Sequence, residues 1–164
     1  QIAADSVEQF SELILAKSFP AGIRRVRQHR ALGHRTVLIT GALDFVVEPF
    51  RPLFDDIVSA ELGVVDGTYD GRMTAVPPTG EARYQALVDH AAAHDMDLRE
   101  SVAYADSASD LPMLEAVGFP VAVNPETRLA SIARKRGWLV EDFRKSPGMR
   151  RSLLPLAPAR SAAR

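Results

Sequence analysis

The feature that most constrains this chain is a recurring unit: a short, continuously apolar run followed by a stretch with helical spacing. The clearest run is Thr36-Val37-Leu38-Ile39-Thr40, β-branched and too short to be a helix. A strand covered on both faces reads this way, whereas a strand with one wet face alternates apolar and polar residues. Further short runs at residues 57–60, 101–105, 120–123 and 138–140 are separated by helix-like stretches at 44–52, 80–94, 110–117 and 126–136. Such alternation builds a parallel sheet with helices on both faces. The expected class is therefore α/β, three-layered and Rossmann-like.

The flanks add detail. Residues 6–17 read as a helix with Ser6 as N-cap and Phe10, Leu13 and Ile14 on one face. Pro20 suits the first turn of a helix over 21–32, with Ile23 and Val26 inward, basic residues outward and Gly33 as its stop. The segment 63–73, with Asp66-Gly67 and Asp70-Gly71, predicts a hairpin or flap. No internal repeat is present.

Composition narrows the function classes. The 164 residues suffice for one domain with a core, and no apolar run approaches the roughly 20 residues of a membrane span. Stable membrane insertion is not expected. The absence of cysteine removes disulfides and thiolate metal sites, and fits a cytoplasmic setting. The net charge of −1 divides into +6 over residues 144–164 and −7 over the remainder. An acidic body with a short basic, proline-containing tail is unlike a nucleic-acid-binding domain, and the tail reads as a flexible linker.

Open parallel sheets bind ligands at the carboxyl ends of their strands. The residues just past the expected strands are Thr40 and Gly41, then Asp106 and Asp110, then Asn124. Two carboxylates at Asp-x-x-x-Asp spacing suit a hard cation such as Mg²⁺, which takes one or two carboxylates plus phosphate oxygens. A hydroxyl and a glycine amide are donors to a phosphate oxygen. The bland alternative makes Asp110 the N-cap of the helix beginning at Leu111 and Asp106 a solvated turn residue.

The run from Val102 through Asp106-Ser-Ala-Ser-Asp110-Leu-Pro-Met-Leu to Asn124-Pro125 decides between these readings. It resembles the last motif of the haloacid dehalogenase superfamily, in its phosphoserine-phosphatase-like subgroup: a strand, a metal-binding Asp, a second Asp four residues on, and a Leu-Pro-x-Leu helix start. Ala105 stands where many members have glycine. Arg35-Thr-Val-Leu-Ile-Thr40-Gly41 resembles the second motif, whose Ser or Thr binds the transferred phosphoryl group. Thr79-Gly-Glu-Ala-Arg83 resembles the region of the third, with Arg83 where a lysine usually neutralises phosphoryl charge. An arginine keeps the charge in a planar fork; the plain alternative is a surface arginine on an amphipathic helix.

The resemblance implies a Mg²⁺-dependent phosphomonoester hydrolase acting on a small phosphorylated substrate. Thr40, Gly41 and Arg83 would bind phosphate, Arg83 would act in catalysis, and Asp106 and Asp110 would hold the metal. Residues 1–18 would be the end of a helical cap, 19–143 the hydrolase core, and 144–164 the tail. The family's nucleophile is the first Asp of an Asp-x-Asp motif ending the first, central strand. The chain's single Asp-x-Asp, at Asp95 and Asp97, follows a helical run and reads as a connection. The nucleophile, the central strand and most of the cap are thus expected upstream of Gln1, and the 164 residues alone are expected to be inactive. Without the central strand, the strands at 36–40 and 101–105 must pair directly, leave a gap or accept a strand from elsewhere. The alternative is a non-catalytic structural or regulatory module of a longer chain, such as a lipid-metabolising enzyme.

Lesser candidates carry little. His90 and His94 have the spacing of two ligands on a helix, but the His-Glu-x-x-His pattern fails and no third ligand is evident in sequence, so a solvated face is expected. Trp138 and Phe143 read as packing residues, and His29 and His34 as flanks of a turn. No nucleotide-binding glycine fingerprint, Walker loop or nucleophile elbow is present.

Overall fold

The computed structural model describes residues 20–143, so the expected cap helix at 6–17 and the tail at 144–164 lie outside the described residues. Helix α1 (Pro20–Ala31) leads into strand β1 (Val37–Leu43), the short helix α2 (Asp44–Val47) and a 3-10 segment (Glu48–Leu53). Strand β2 (Asp56–Ala60) then precedes a hairpin of β3 (Leu62–Val65) and β4 (Thr68–Met73). Helix α3 (Glu81–Ala93) is followed by β5 (Val102–Ala105), α4 (Leu111–Glu115), β6 (Phe119–Val123), α5 (Thr127–Arg136) and β7 (Leu139–Glu141). The α/β alternation expected from the sequence is the observed order.

Strand pairing is parallel within β1–β2 and within β5–β6–β7. Among the described residues only the β3–β4 hairpin is antiparallel, closed by Asp66 and Gly67 with φ of 49° and 75°. That two-residue turn with both central φ positive matches the twist of the strands it joins. Among the described residues β1 does not pair with β5: the sheet is split into β2-β1 and β5-β6-β7. Of the three expected options, direct pairing of these two strands is not adopted among the described residues. β1 is accordingly half-buried along its whole length, where a strand covered on both faces was expected.

Packing bridges the split. Leu87 of α3 is buried in one cluster with Ala103 of β5, Met113 and Leu114 of α4, Ala122 of β6, and Leu129 and Ala133 of α5. Ile39 of β1 and Ala105 of β5 both pack against this cluster, so α3 lies over both half-sheets. Leu114 and Leu129 are fully buried. Tyr104 points the other way, as strand alternation requires, and meets α1. Helices therefore cover both faces of the three-stranded sheet.

The α1 contact amends one expectation: Arg24, Arg27 and Arg30 are exposed as expected, but two other polar residues are not. Arg25 and His29 are buried, whereas Ile23 and Val26 are half-buried. Arg25 donates to both carboxylate oxygens of Glu141 at 2.8 and 2.7 Å and to the Tyr104 hydroxyl at 3.2 Å. The tyrosine hydroxyl lies 2.7 Å from His29 Nε2, and His29 Nδ1 lies 2.9 Å from His34 Nδ1. The guanidinium donates to the tyrosine oxygen, and the donor and acceptor roles along the His29 and His34 rings follow from their tautomers. Arg25 is inward because β7 supplies its partner Glu141, and His29 because β5 supplies Tyr104, long-range features that helical periodicity does not carry. His29 and His34 thus join a buried chain, and the expected solvated face of His90 and His94 holds only for His94; His90 is half-buried against β2.

Candidate active site

The carboxyl edge of the sheet is assembled by three segments. The first is β1, which extends further than expected: its register with β2 shifts between Ile39 and Leu43, so Thr40 and Gly41 lie on a bulge inside the strand and not just past it. The Ala42 amide donates to Thr40 Oγ1 at 3.1 Å and fixes the hydroxyl on that bulge. Bulges re-aim side chains in this way.

The second segment is the loop entering α3. A Cβ placed on Gly41 would stand 2.4 Å from Thr79 Cγ2, so a glycine is what lets the loop close on β1. On its other side, Gly80 faces the Ser109 carbonyl across 3.7 Å from an ideal Cβ. The loop therefore spans the two half-sheets at this edge.

The third segment is the turn leaving β5. Asp106 is exposed at the strand end, and its carbonyl accepts from the Glu126 amide at 2.9 Å. Glu126 Oε1 in turn accepts from the Ala108 amide at 2.7 Å. This clasp, which sets the Asp106 turn, was not legible in sequence because Glu126 reads as an ordinary first-turn acid. Asp110 is 2 % exposed and occupies the N-cap position of α4, but its side chain makes no capping bond. It instead accepts from Arg83 Nη1 at 2.5 Å, while Arg83 Nε donates to the Pro78 carbonyl at 3.2 Å. Asp110 makes no capping bond and Arg83 is not a free surface arginine, while Asp106 is the exposed turn residue that the plain alternative expects.

Burial raises the Asp110 carboxyl above the usual carboxylate range; the adjacent Arg83 charge opposes that shift and the Asp106 charge adds to it. Asn124 reaches the same edge with φ of 43°, but its side-chain oxygen accepts from the Phe143 amide and its own amide donates to Glu141, so it clamps the chain after β6. Asp95 and Asp97 lie in the connection after α3, with Asp97 accepting from the Arg99 amide. The edge thus gathers a hydroxyl on a bulge, a guanidinium, a buried carboxylate and an exposed one.

A parallel sheet covered by helices, with charged groups at its carboxyl edge, defines an α/β protein whose ligand site lies at that edge. The chain belongs to the haloacid dehalogenase-like hydrolases, whose family profile matches residues 1–115. It is 32% identical over 99% of its length to the phosphoserine phosphatase SerB1 of Mycobacterium tuberculosis, covering 54% of that protein. It is 31% identical over 84% of its length to a histidinol-phosphatase of Neisseria meningitidis, covering 64%. The chain spans about half the length of the first curated relatives it matches. A structure of unknown function from Bordetella pertussis superposes with a TM-score of 0.79 and 32% identity, over 85% of this chain and 66% of the other. A substrate-bound phosphoserine phosphatase shares the fold at a TM-score of 0.57 and 20% identity, over 74% and 56%. Among the described residues no helix is long and apolar enough to cross a membrane.

Proposed function

We propose that the domain to which this chain contributes hydrolyses phosphate monoesters with Mg²⁺, in the cytoplasm, on a small phosphorylated substrate. The observation that carries the reading is the Arg83–Asp110 contact, which joins the start of α3 to the turn after β5 at the edge where Thr40 and Gly41 also lie. Phosphoryl transfer is dominated by positioning and charge stabilisation, which the groups at this edge would provide. Thr40 Oγ1 and the Gly41 amide would orient the phosphoryl oxygens, and Arg83 would neutralise them. The donor set at Asp106 and Asp110, hard carboxylate oxygens with one held in a desolvated turn, fits a hard cation. Bound there, Mg²⁺ would supply charge neutralisation on the phosphate.

The nucleophile of an aspartyl-phosphate mechanism would enter on the strand that fills the gap between β1 and β5. Among the described residues the one Asp-x-Asp, Asp95 and Asp97, follows α3 and does not end a strand. In this reading the 164 residues alone are inactive. The test is steady-state hydrolysis of p-nitrophenyl phosphate by a longer form containing that strand, with and without EDTA. Turnover that requires added Mg²⁺ and disappears in Asp106→Asn supports the reading; turnover indifferent to EDTA and to Asp106 contradicts it.

A further inference from the structure

Helix α3 runs from Arg83 at the carboxyl edge of the sheet to His90 and His94 near the opposite edge. At ~1.5 Å of rise per residue, His94 stands roughly 16 Å along the axis from Arg83. Asp56, the first residue of β2, meets the histidines there. One nitrogen from each imidazole and one carboxylate oxygen of Asp56 all lie within 4.8 Å of one another. The two rings are 4.2 Å apart between centroids.

We propose that Asp56, His90 and His94 bind a late first-row divalent cation of the Zn²⁺ class, at a site separate from the carboxyl edge. Two imidazoles and one carboxylate with a free fourth position form a donor set that Zn²⁺ accepts, and nitrogen donors favour it over Mg²⁺. A second observation points the same way. His90 Nε2 is buried and has no hydrogen-bond partner, although Asp56 Oδ2 lies 3.4 Å away in a misaligned approach. Buried ring nitrogens rarely go unsatisfied, and a cation between the two groups would satisfy both. His94 is the C-cap of α3, where the helix dipole favours positive charge.

The geometry needs a small adjustment. Ligands of a tetrahedral Zn²⁺ stand about 3.3 Å apart for metal–ligand bonds near 2 Å, so the three side chains must contract. Exposed His94 is free to rotate. Arg35 is the competitor: its Nε donates to Asp56 Oδ2 at 2.6 Å and its Nη2 to Oδ1 at 3.1 Å. Since its side chain is 44% exposed, it can keep the Oδ1 bond and release Oδ2 to the metal. The site would brace the far end of α3 against β2, on the same helix that presents Arg83.

The test is metal binding by the 164-residue chain, stripped with EDTA and titrated with Zn²⁺ against a chromogenic chelator in the presence of millimolar Mg²⁺. The expected result is one Zn²⁺ per chain at micromolar affinity or tighter, weakened at least about tenfold in His94→Gln and in Asp56→Asn, and kept in Asp106→Asn. His94 is exposed, so His94→Gln should keep the fold, which circular dichroism checks. Absence of saturable binding, equal binding by His94→Gln, or loss of binding in Asp106→Asn would overturn the proposal.

Discussion

Arg83 Nη1 lies 2.5 Å from Asp110 Oδ1, joining the first turn of α3 to a carboxylate buried in the turn after β5. The contact crosses the split in the sheet and holds a positive charge at its carboxyl edge. Its partner is nearly inaccessible to water, so the pair is less screened than a surface ion pair.

Charge at position 83 should therefore matter more than the shape of the fork. In a form extended upstream as proposed above, Arg83→Ala should lower kcat/KM for p-nitrophenyl phosphate by roughly 10²–10³, the usual cost of losing one preorganised charge-stabilising donor. Arg83→Lys should recover most of that loss. Equal damage by both substitutions would assign Arg83 a structural role through Pro78 and Asp110 alone.

The close approach of Thr79 to Gly41 makes a second prediction, about stability and independent of activity. Gly41→Ala should destabilise the chain by about 1–2 kcal/mol, because the new methyl meets Thr79 Cγ2. Adding Thr79→Ser removes that carbon and should restore most of the loss. Urea unfolding of the four proteins in the cycle measures the coupling directly; additive effects would mean that the loop does not rest on the bulge.

His29 predicts a pH dependence. Burial, aided by the charges of His34 and Arg25, lowers it from 6.5 to about 4. The folded state therefore keeps it neutral while the unfolded state protonates near 6.5. Stability is complete above that pH, falls as pH drops from about 6.5 towards 4, and changes no further on this account below 4. The full effect is on the order of 3 kcal/mol as an upper bound. Urea midpoints at pH 7 and pH 5 should differ in this direction, and His29→Gln should shrink the difference. An unchanged midpoint would show His29 to be solvated.

Much of this was legible in the sequence, for identifiable reasons. The strands at β1, β5 and β6 announced themselves because continuous β-branched or small apolar runs have few other uses, and Asp106 and Asp110 stood out by their spacing beside one of them. What the sequence hid was long-range. Arg25 and His29 look like solvated residues on a basic helix until β7 brings Glu141 beneath them. His90 and His94 lack a third ligand until β2 delivers Asp56. Thr40 and Gly41 read as residues after a strand because a register shift against β2 has no local signature. Glu126 and Thr79, which set the Asp106 turn and the α3 entry loop, carry no sequence signal beyond a first-turn acid and a turn residue.

The central claim is that this edge is part of a phosphomonoesterase site completed by a strand between β1 and β5. The most direct measurement compares Mg²⁺-dependent hydrolysis of p-nitrophenyl phosphate by the 164 residues and by a version extended upstream through a strand ending in Asp-x-Asp. Turnover is expected from the extended protein only, abolished by Asp106→Asn. Turnover by the 164 residues alone, or a folded and monodisperse extended protein with none, would contradict it.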